Sequence, residues 1–491
     1  SVPTMQPTSQ PSRQPSSQPS SQPSRQPISR PSAQPSAQPS HRPSSQPTGQ
    51  PSMEPSTPPT GEWSTVIENK ASLAGLSVVD SNIWACGDAS SFSAASCLLM
   101  ESTTGEVLTQ YAFSDDTVGS VLMAGDVSRV IVNGRSANSS TVSSAVANCR
   151  LDQAQLTCSV KSFLNAQFVS SSYVPFTSQV VYVGQYGTRA AASILSNGVS
   201  TVQSFTYSTS YMKSIALIKV ASLPNFIGTF VTGTSVANNL AQEQCIIAGW
   251  IRVDTGVLVS TYLTPVSGHI VNTANVVNAL AVEPTKPDSF IAGGLEVSDG
   301  VGMQAYIVRT SALYRNVVFG VRYVNQATAT GRRALSASFA ARGAVKGMVY
   351  VDSLLFMILD DIRHSATGNT THLSIVKAHA SSGTIIHQVS ISAPNTNILC
   401  SDITTSELML IITCTVQKTS NTPQTLLMSV NRNLNCTDLP RGYVREYGSL
   451  FRAENMGFTA TAYSTTTTST WIDTVSSASN ITMQAPTMLP S

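Results

Sequence analysis

The amino-acid sequence predicts an all-β protein that follows an extended N-terminal segment, and three observations lead to this. Prolines recur at every fourth residue from 3 to 59. Beyond residue 61, short runs rich in Val, Ile, Thr and Tyr alternate with Gly, Asn, Asp and Ser, and no stretch keeps a helical apolar period for three turns. One phrase of strands and turns then recurs along the chain. We therefore expect a stalk over 1–61, a body over 62–450 and a Ser/Thr-rich arm over 451–491.

The first segment favours polyproline II helix. Each proline fixes φ and removes an N–H donor, so a proline at every fourth position excludes helix and sheet. Fourteen of the fifteen in-register prolines precede Ser or Thr, which is the composition of O-glycosylated stalks. A solvated, disordered linker is the alternative. The expected O-glycosylation sites, on serine or hydroxylated proline, are Pro11, Ser12, Pro15, Ser16, Pro19, Ser20, Pro23, Ser24, Pro35, Ser36, Pro39, Ser40, Pro43 and Ser44.

Composition excludes several classes of partner. The net charge is +2 and charged residues are 11% of the chain, about half the usual share. Electrostatic binding of nucleic acid or of an anionic membrane is therefore not expected. No apolar run approaches the length of a transmembrane helix, and "LLFMIL" (354–359) has the length of a core strand.

Cysteines and sequons indicate a secreted protein. We expect local disulfides Cys86–Cys97, Cys149–Cys158 and Cys400–Cys414, each across a plausible hairpin or neighbouring-strand turn, and Cys245–Cys436 as the remaining pair. No Cys/His spacing resembles a zinc site. Sequons for N-glycosylation occur at Asn138, Asn369, Asn435 and Asn480. Because disulfides persist in oxidising compartments, these features together predict an extracellular location.

The body repeats one phrase, which is strand, loop, strand, turn, strand, with an earlier short apolar run supplying a first strand. Four strands in 40–55 residues is the pattern of a β-propeller blade. Seven copies fit between about 62 and 450, so a seven-bladed propeller is expected, although six or eight blades also fit the diverged copies. Two successive β-sandwiches are the alternative. The copies lie at 83–113, 119–163, 173–212, 225–263, 289–324, 354–392 and 395–448.

The last forty residues are rich in Thr and Ser, with high β propensity. One interpretation is a mucin-like tail, or a strand that closes the ring onto the first blade. The other is an arm that adds to the sheet edge of a neighbouring subunit, anchored by Trp471 and Ile472.

Catalysis, metal binding and cofactors other than covalent glycans are not expected. The chain lacks the usual hydrolase, metalloprotease and nucleotide-binding motifs. Four histidines crowd into one repeat, where strand alternation makes them solvent-facing positions: His364, His372, His379 and His387. Two acidic pairs, Asp115–Asp116 and Asp360–Asp361, do not resemble a calcium loop.

The tracts "QPSRQPSSQPSSQPSR" (10–25) and "QPSAQPSHRPSSQPTGQPS" (34–52) resemble those of secreted and cell-surface proteins of heterokont algae and their relatives, some of which build extracellular fibres and flagellar hairs. This resemblance implies an extracellular, glycosylated, fibre-forming protein. Two hypotheses follow. The first is a structural subunit of a filament, whose partners are copies of itself in a head-to-tail homopolymer. The second is a stalked binding module, whose propeller binds carbohydrate or another wall protein.

Overall fold

The chain divides into two units, Ser1–Ser56 and Thr57–Ser491, and the second contains every described strand. The computed structural model describes residues 61–483. Gaps within that range fall at 68–69, 80, 90–94, 113–121, 127–128, 136–142, 153–154, 165, 174–179, 187–188, 197–198, 205–210, 220–226, 237–243, 253–257, 266–275, 284–285, 287, 298–301, 312–315, 326–342, 366–367, 419–422, 448–450 and 464–474. The expected stalk, up to residue 60, therefore lies outside the described residues.

The expectation of an all-β body is confirmed, since the described residues form seven antiparallel sheets of four or five strands. The first strand, β1, is Trp63–Ile67. Sheet 1 contains β2 (Lys70–Val79), β3 (Asn82–Ala89), β4 (Ala95–Glu101) and β5 (Val107–Ala112). Sheet 2 contains β6 (Leu122–Asp126), β7 (Arg129–Arg135), β8 (Ser143–Asp152) and β9 (Gln155–Leu164). Sheet 3 contains β10 (Ala166–Tyr173), β11 (Val180–Tyr186), β12 (Arg189–Ser196) and β13 (Val199–Ser204).

The remaining sheets follow the same order. Sheet 4 contains β14 (Tyr211–Lys219), β15 (Ile227–Val236), β16 (Gln244–Arg252) and β17 (Leu258–Pro265). Sheet 5 contains β18 (Val276–Val282), β19 (Ser289–Val297), β20 (Gly302–Ser311) and β21 (Asn316–Asn325). Sheet 6 contains β22 (Val345–Val351), β23 (Leu354–Ser365), β24 (Gly368–His379) and β25 (Ile385–Ser392). Sheet 7 contains β26 (Thr396–Ser406), β27 (Met409–Lys418), β28 (Gln424–Asn431) and, at its outer edge, β1.

Neighbouring sheets are joined through their first strands. Each first strand contacts the first strand of the next sheet, in the order β2, β6, β10, β14, β18, β22 and β26, and β26 contacts β2 in turn. Sheet 7 therefore lies against sheet 1, although most of their residues are more than 300 positions apart in the chain.

β-Bulges in these first strands direct side chains toward the next sheet. A bulge places one extra residue in a strand and re-aims its side chain. Asn278 is such a residue in β18, and its Nδ2 donates to the Val345 carbonyl of sheet 6 at 2.8 Å. Ser401 is the equivalent residue in β26, and its hydroxyl donates to the Leu73 carbonyl of sheet 1 at 3.1 Å. Bulges also occur in the first strands of sheets 1, 3, 4 and 6.

The hydrophobic core lies between consecutive sheets. Sheet 6 packs Phe356 and Ile358 against sheet 7, and it packs Met357 and Leu359 against sheet 5. The alternation arises because successive side chains of a strand point to opposite faces. Both faces of this sheet are covered, so "LLFMIL" is a core strand, as expected. Two sandwiches would bury one face of each sheet, which does not match sheets 5 and 6.

The C-terminal region departs from the expected arm. It forms four strands that pair antiparallel with the outer edges of sheets 6, 5, 4 and 2 of the same chain, and we call them the tail strands: β29 (Val444–Tyr447), β30 (Phe451–Asn455), β31 (Phe458–Tyr463) and β32 (Val475–Met483). An exposed sheet edge can pair with an extended segment that reaches it, and here that segment is the chain's own C-terminal region. The described C-terminal residues thus pair within their own chain, and an arm that adds to a neighbouring subunit stays a prediction. Trp471 and Ile472 lie outside the described residues.

Candidate functional site at the junction of the first and last sheets

The strand that follows the repeat segment joins the two ends of the body. β1 pairs antiparallel with β28, with Trp63 opposite Ser429 and Ile67 opposite Thr425. The expected seventh copy, 395–448, thus supplies three strands of its own sheet, and its Val444–Tyr447 segment pairs with sheet 6 instead. We call this region the junction; it comprises residues 61–67, the turn 101–106, the strand β26 and the loop 432–443.

Trp63 attaches β1 to sheet 1. Its indole is 5% exposed, and Nε1 donates to the Ser102 carbonyl at 2.9 Å. Gly105 lies against the ring: a Cβ at position 105 would be 2.3 Å from the indole Cδ2. Gly105 also has φ +72°, a conformation that favours glycine. The Thr65 hydroxyl donates to the Gly105 carbonyl at 3.4 Å.

Sheets 5 and 6 meet in the same way. The turn 379–384 repeats the backbone hydrogen bonds of 101–106, and Gly383 has φ +71°. The Tyr323 hydroxyl of β21 donates to the Gly383 carbonyl at 2.9 Å, and a Cβ on Gly383 would be 3.0 Å from Phe319. β1, in sheet 7, thus packs on the turn 101–106 of sheet 1 as β21, in sheet 5, packs on the turn 379–384 of sheet 6. The N-terminal strand is an integral fourth strand.

Glu62 fixes the point where the chain enters the body. Its buried carboxylate accepts hydrogen bonds from the backbone N–H groups of Asn431 at 3.1 Å and Thr437 at 2.8 Å. The Asn431 side-chain amide and the Thr437 hydroxyl donate to the same carboxylate. Burying a carboxylate is costly unless its oxygens are hydrogen-bonded, and here both are. Gly61 is held beside it, because the Ser429 hydroxyl donates to its carbonyl at 2.7 Å.

Asp402 joins the first strands of sheets 7 and 1. Its Oδ2 accepts a hydrogen bond from the Leu76 N–H at 3.0 Å, and Oδ1 accepts one from its neighbour Ile403 at 2.8 Å. The Thr413 hydroxyl also crosses between the sheets, donating to the Leu73 carbonyl at 2.9 Å. Burial raises the pKa of Asp402 to about 7, against the lowering effect of the two N–H donors.

Disulfides stabilise the two sheets that meet here. Cys86–Cys97 links β3 to β4 in sheet 1, and Cys400–Cys414 links β26 to β27 in sheet 7. Both bonds connect residues directly opposite each other in antiparallel strands, as hairpin spacing led us to expect. Cys149 and Cys158 are likewise opposite in the register of β8 and β9.

The expected Cys245–Cys436 pair does not form, because Cys436 is a free, buried thiol beside sheet 7 while Cys245 is the second residue of β16 in sheet 4. Burial, together with the smaller effect of the neighbouring Glu62 carboxylate, raises the pKa of the Cys436 thiol to about 12. A thiol with so high a pKa is not nucleophilic at neutral pH.

Some of the expected glycosylation sites lie among the described residues, and the others lie outside them. Asn435 is exposed in the loop 432–443. Its carbonyl accepts hydrogen bonds from Arg445 at 2.8 Å and from the Tyr447 hydroxyl, so this loop also holds the first tail strand. Asn369 lies in β24 and Asn480 in β32. Asn138 and all the expected O-glycosylation sites lie outside the described residues.

Sheet 6 holds the four histidines in separate register positions. His372 lies opposite Asp361, His387 opposite Lys377, His364 opposite Asn369 and His379 opposite Leu354. His387 stacks on Tyr447 with ring centroids 5.9 Å apart.

The structure also shows a partner for Asp360, the first residue of the acidic pair in sheet 6. Asp360 forms an ion pair with Lys346 at 3.1 Å, and burial raises its pKa. Asp115–Asp116 lies outside the described residues. Within the described ranges, no three His, Cys, Asp or Glu side chains are placed to share a metal ion, and no helix has the length and hydropathy that crossing a bilayer requires.

The sequence had not indicated Glu62, Trp63 or Asp402 as important residues. A signal was present for Trp63: a turn that ends in glycine occurs in two of the copies, at "STTG" (102–105) and "ASSG" (380–383). Because glycine has no side chain, it leaves room over the turn, and Trp63 lies over Gly105 as Phe319 lies over Gly383. Nothing in the local sequence indicates which aromatic residue reaches each turn.

Residues 2–37 match the family model described as the PT disordered repeat, and no curated protein matches the chain. Similar solved structures include quinohemoprotein alcohol dehydrogenase from Comamonas testosteroni, at 9% identity and a TM-score of 0.36, covering 73% of this chain and 67% of that one. Drosophila Semaphorin 1b, extracellular domains 1-2, aligns at 8% identity and a TM-score of 0.34, covering 76% and 85%. Phage phi92 endosialidase aligns at 13% and 0.26, covering 82% and 60%. At these TM-scores the likenesses carry no argument about function.

Proposed function

We propose that this protein is a structural subunit of an extracellular glycoprotein filament. Its seven sheets are the blades of a β-propeller head, and its Pro/Ser/Gln repeats form a glycosylated polyproline II rod. The head and the rod assemble with other copies of the same chain. No catalytic step, metal or cofactor enters this function.

The junction is the observation that carries the proposal. The chain leaves the repeats and, within three residues, is held by Glu62 and Trp63 to both sheet 7 and sheet 1. A loose linker needs no such attachment, whereas a rod that transmits tension to a head does. The cross-strand disulfides Cys86–Cys97 and Cys400–Cys414 reinforce the two sheets that would take this load.

The order of the sheets supports the propeller. The first strands contact one another in sequence order and the last contacts the first, which is the connectivity of a closed ring of blades. Completion of the last sheet by the N-terminal strand leaves no sheet with its fourth strand missing. Because β1 and β28 are distant in sequence, opening the ring requires breaking their pairing.

Secretion is supported by the two disulfides, which persist in oxidising compartments. With charged residues at 11%, the protein also depends on hydroxyl groups and attached glycans for its hydration. The exposed Asn435 sequon provides one such position on the head.

Electron microscopy of the purified native protein tests the proposal. We would compare the full chain with a variant lacking residues 1–56, which keeps the junction, and with a variant whose first 56 residues are a Gly/Ser segment of equal length. Regular filaments from the full chain, lost in both variants, are the expected result. Monodisperse single heads from the full chain would reject the filament and direct attention to a stalked binding module, to be tested on glycan arrays.

A further inference from the structure

The Asn435 sequon is held in the junction by two distant segments of the chain. The hydroxyl and the N–H of Thr437 both donate to the Glu62 carboxylate, the N–H at 2.8 Å. Arg445, in the first tail strand, donates from Nη1 to the carbonyls of Asn435 and Cys436, each at 2.8 Å. The entry segment of the body and the first tail strand therefore meet on the three residues of this sequon.

The backbone on either side of Asn435 is left-handed. Leu434 and Cys436 have φ of +60° and +47°, and both side chains are buried in the core beside sheet 7. Residues other than glycine rarely adopt this conformation, so the loop keeps its path only while the contacts around it hold it there. Asn435, between the two buried residues, is exposed. The folded junction thus has space for a glycan on Asn435 while it fixes the residues on both sides.

Glycan transfer has a requirement that the folded junction does not meet. The Asn435 Nδ2 bonds to the anomeric carbon of an oligosaccharide carried on a lipid diphosphate. The bond from that carbon to the diphosphate breaks, the lipid diphosphate leaves with the electron pair, and the amide gives up one proton. The hydroxyl two residues further on is part of the acceptor signal, so the oligosaccharyltransferase has to contact it. In the junction the Thr437 hydroxyl is bound to Glu62 instead.

We infer that Asn435 is glycosylated before Glu62 and Arg445 dock on its sequon, and that the finished junction keeps this glycan but no longer accepts one. The order runs one way, because the modified side chain lies in solvent whereas the hydroxyl that the enzyme contacts is occupied. The inference rests on the glycoprotein part of the proposed function. It assigns a sugar to the point where the repeats enter the body, and it makes sugar addition a step that precedes closure of the junction.

The order of addition tests the inference on the wild-type chain. The full chain is produced without glycans, denatured with its disulfides intact and diluted into refolding buffer. Oligosaccharyltransferase and a lipid-linked oligosaccharide are added either at the start or after refolding. We expect mass spectrometry to find at least about tenfold more glycan on Asn435 when the enzyme is present from the start, because the closed loop is accessible only through local opening. Equal glycan in both orders would overturn the inference, as would none in either.

Glu62→Ala tests which contact closes the sequon. This change frees the Thr437 hydroxyl, so refolded E62A should be glycosylated on Asn435 at least about tenfold faster than the refolded wild type. Glu446→Ala, on the exposed β29, is the matched control and should react as the wild type does. The Asn369 sequon, in β24, should react equally in all three proteins and so reports general unfolding. A wild-type rate on Asn435 of E62A would overturn the inference, and the order-of-addition result does not depend on this variant folding.

The Cys436 thiol tests whether the closed junction keeps the glycan. Because Cys436 is 2% exposed, its reaction with a maleimide should be as slow in the refolded glycosylated chain as in the unglycosylated chain. A faster reaction in the glycosylated chain would overturn the one-way order. Filaments are scored separately by electron microscopy. Filaments together with equal glycan in both orders would reject this inference and leave the proposed function standing, whereas ordered addition without filaments would support the inference and reject the filament.

Discussion

The carboxylate of Asp402 accepts a hydrogen bond at 3.0 Å from the backbone N–H of Leu76, which lies 326 residues earlier in the chain. This bond joins the first strand of the last sheet to the first strand of the first sheet. A carboxylate in this position is desolvated and has two N–H donors but no cation among the groups that shift its pKa.

The raised pKa of Asp402 predicts how stability changes with pH. Its folded-state pKa of about 7 exceeds the ordinary value of 3.8, so the protonated form is favoured by folding. Its contribution to stability is therefore fully present below pH 4 and is lost as the pH rises to about 7, by about 4 kcal/mol at most. Asp402→Asn should remove this loss, although it adds a constant cost because its amide group faces an N–H donor. The measurement is the free energy of unfolding of both proteins from pH 4 to 8. If the free energies of unfolding of the two proteins changed in parallel with pH, the raised pKa of Asp402 would be contradicted.

Truncating Trp63 should weaken the attachment of β1 to sheet 1. Trp63→Ala removes the indole that fills the space above Gly105, and loss of a buried aromatic costs about 3–5 kcal/mol. Tyr323→Phe, the control at the equivalent contact, removes only a hydroxyl and should cost about 1 kcal/mol. Denaturant unfolding of both variants decides this. If the two variants lost similar amounts of unfolding free energy, the Trp63 indole would not be packed on its turn as the structure shows.

Gly105 should tolerate no side chain. Gly105→Ala introduces a Cβ 2.3 Å from the Trp63 ring on a backbone with φ +72°, and we expect a loss above about 2 kcal/mol. Gly442→Ala is the matched control, since its φ is +91° but no atom lies within 4 Å of the added Cβ. Combining G105A with W63A should give less than the sum of the two losses, because both act on the same contact. Strict additivity of the melting-temperature shifts would contradict this.

Loss of the Glu62 carboxylate should expose Cys436. Glu62→Ala releases the Asn431 and Thr437 donors and leaves them unpaired, at a cost of roughly 2–4 kcal/mol. The loop 432–443 should open more often, so the Cys436 thiol should react faster with a maleimide. Mass spectrometry of the labelled peptide measures the rate, and Glu446→Ala on exposed β29 is the control. An unchanged rate at Cys436 would show that Glu62 does not hold the loop.

The tail strands should stabilise the outer part of the core. Phe451 is 3% exposed between sheets 5 and 6, and its backbone N–H and carbonyl both bond to the side-chain amide of Gln388. Phe451→Ala should cost about 3–4 kcal/mol. Arg452→Ala, next to it and exposed, should cost less than about 1 kcal/mol. Thermal unfolding compares the two, and equal small shifts would show that the tail is bound only loosely.

The sequence by itself determined the features that depend on neighbours along the chain. Short apolar runs specified strands such as "LLFMIL", and the turn residues between the runs specified where strands end, as at Gly105 and Gly383. Hairpin spacing was enough to pair Cys86 with Cys97 and Cys400 with Cys414, because residues at matching positions of a hairpin's two strands meet whatever the rest of the fold does.

Only the tertiary structure decided which edges meet. The pairing of β1 with β28, the bond from Asp402 to Leu76 and the return of the tail strands onto their own sheets all join segments far apart in sequence. Backbone hydrogen bonds at a sheet edge are the same for any extended strand, so local sequence cannot specify the partner. The choice depends on the closure of the sheets and on buried contacts such as Trp63 on Gly105, which exist only once the remaining sheets are in place.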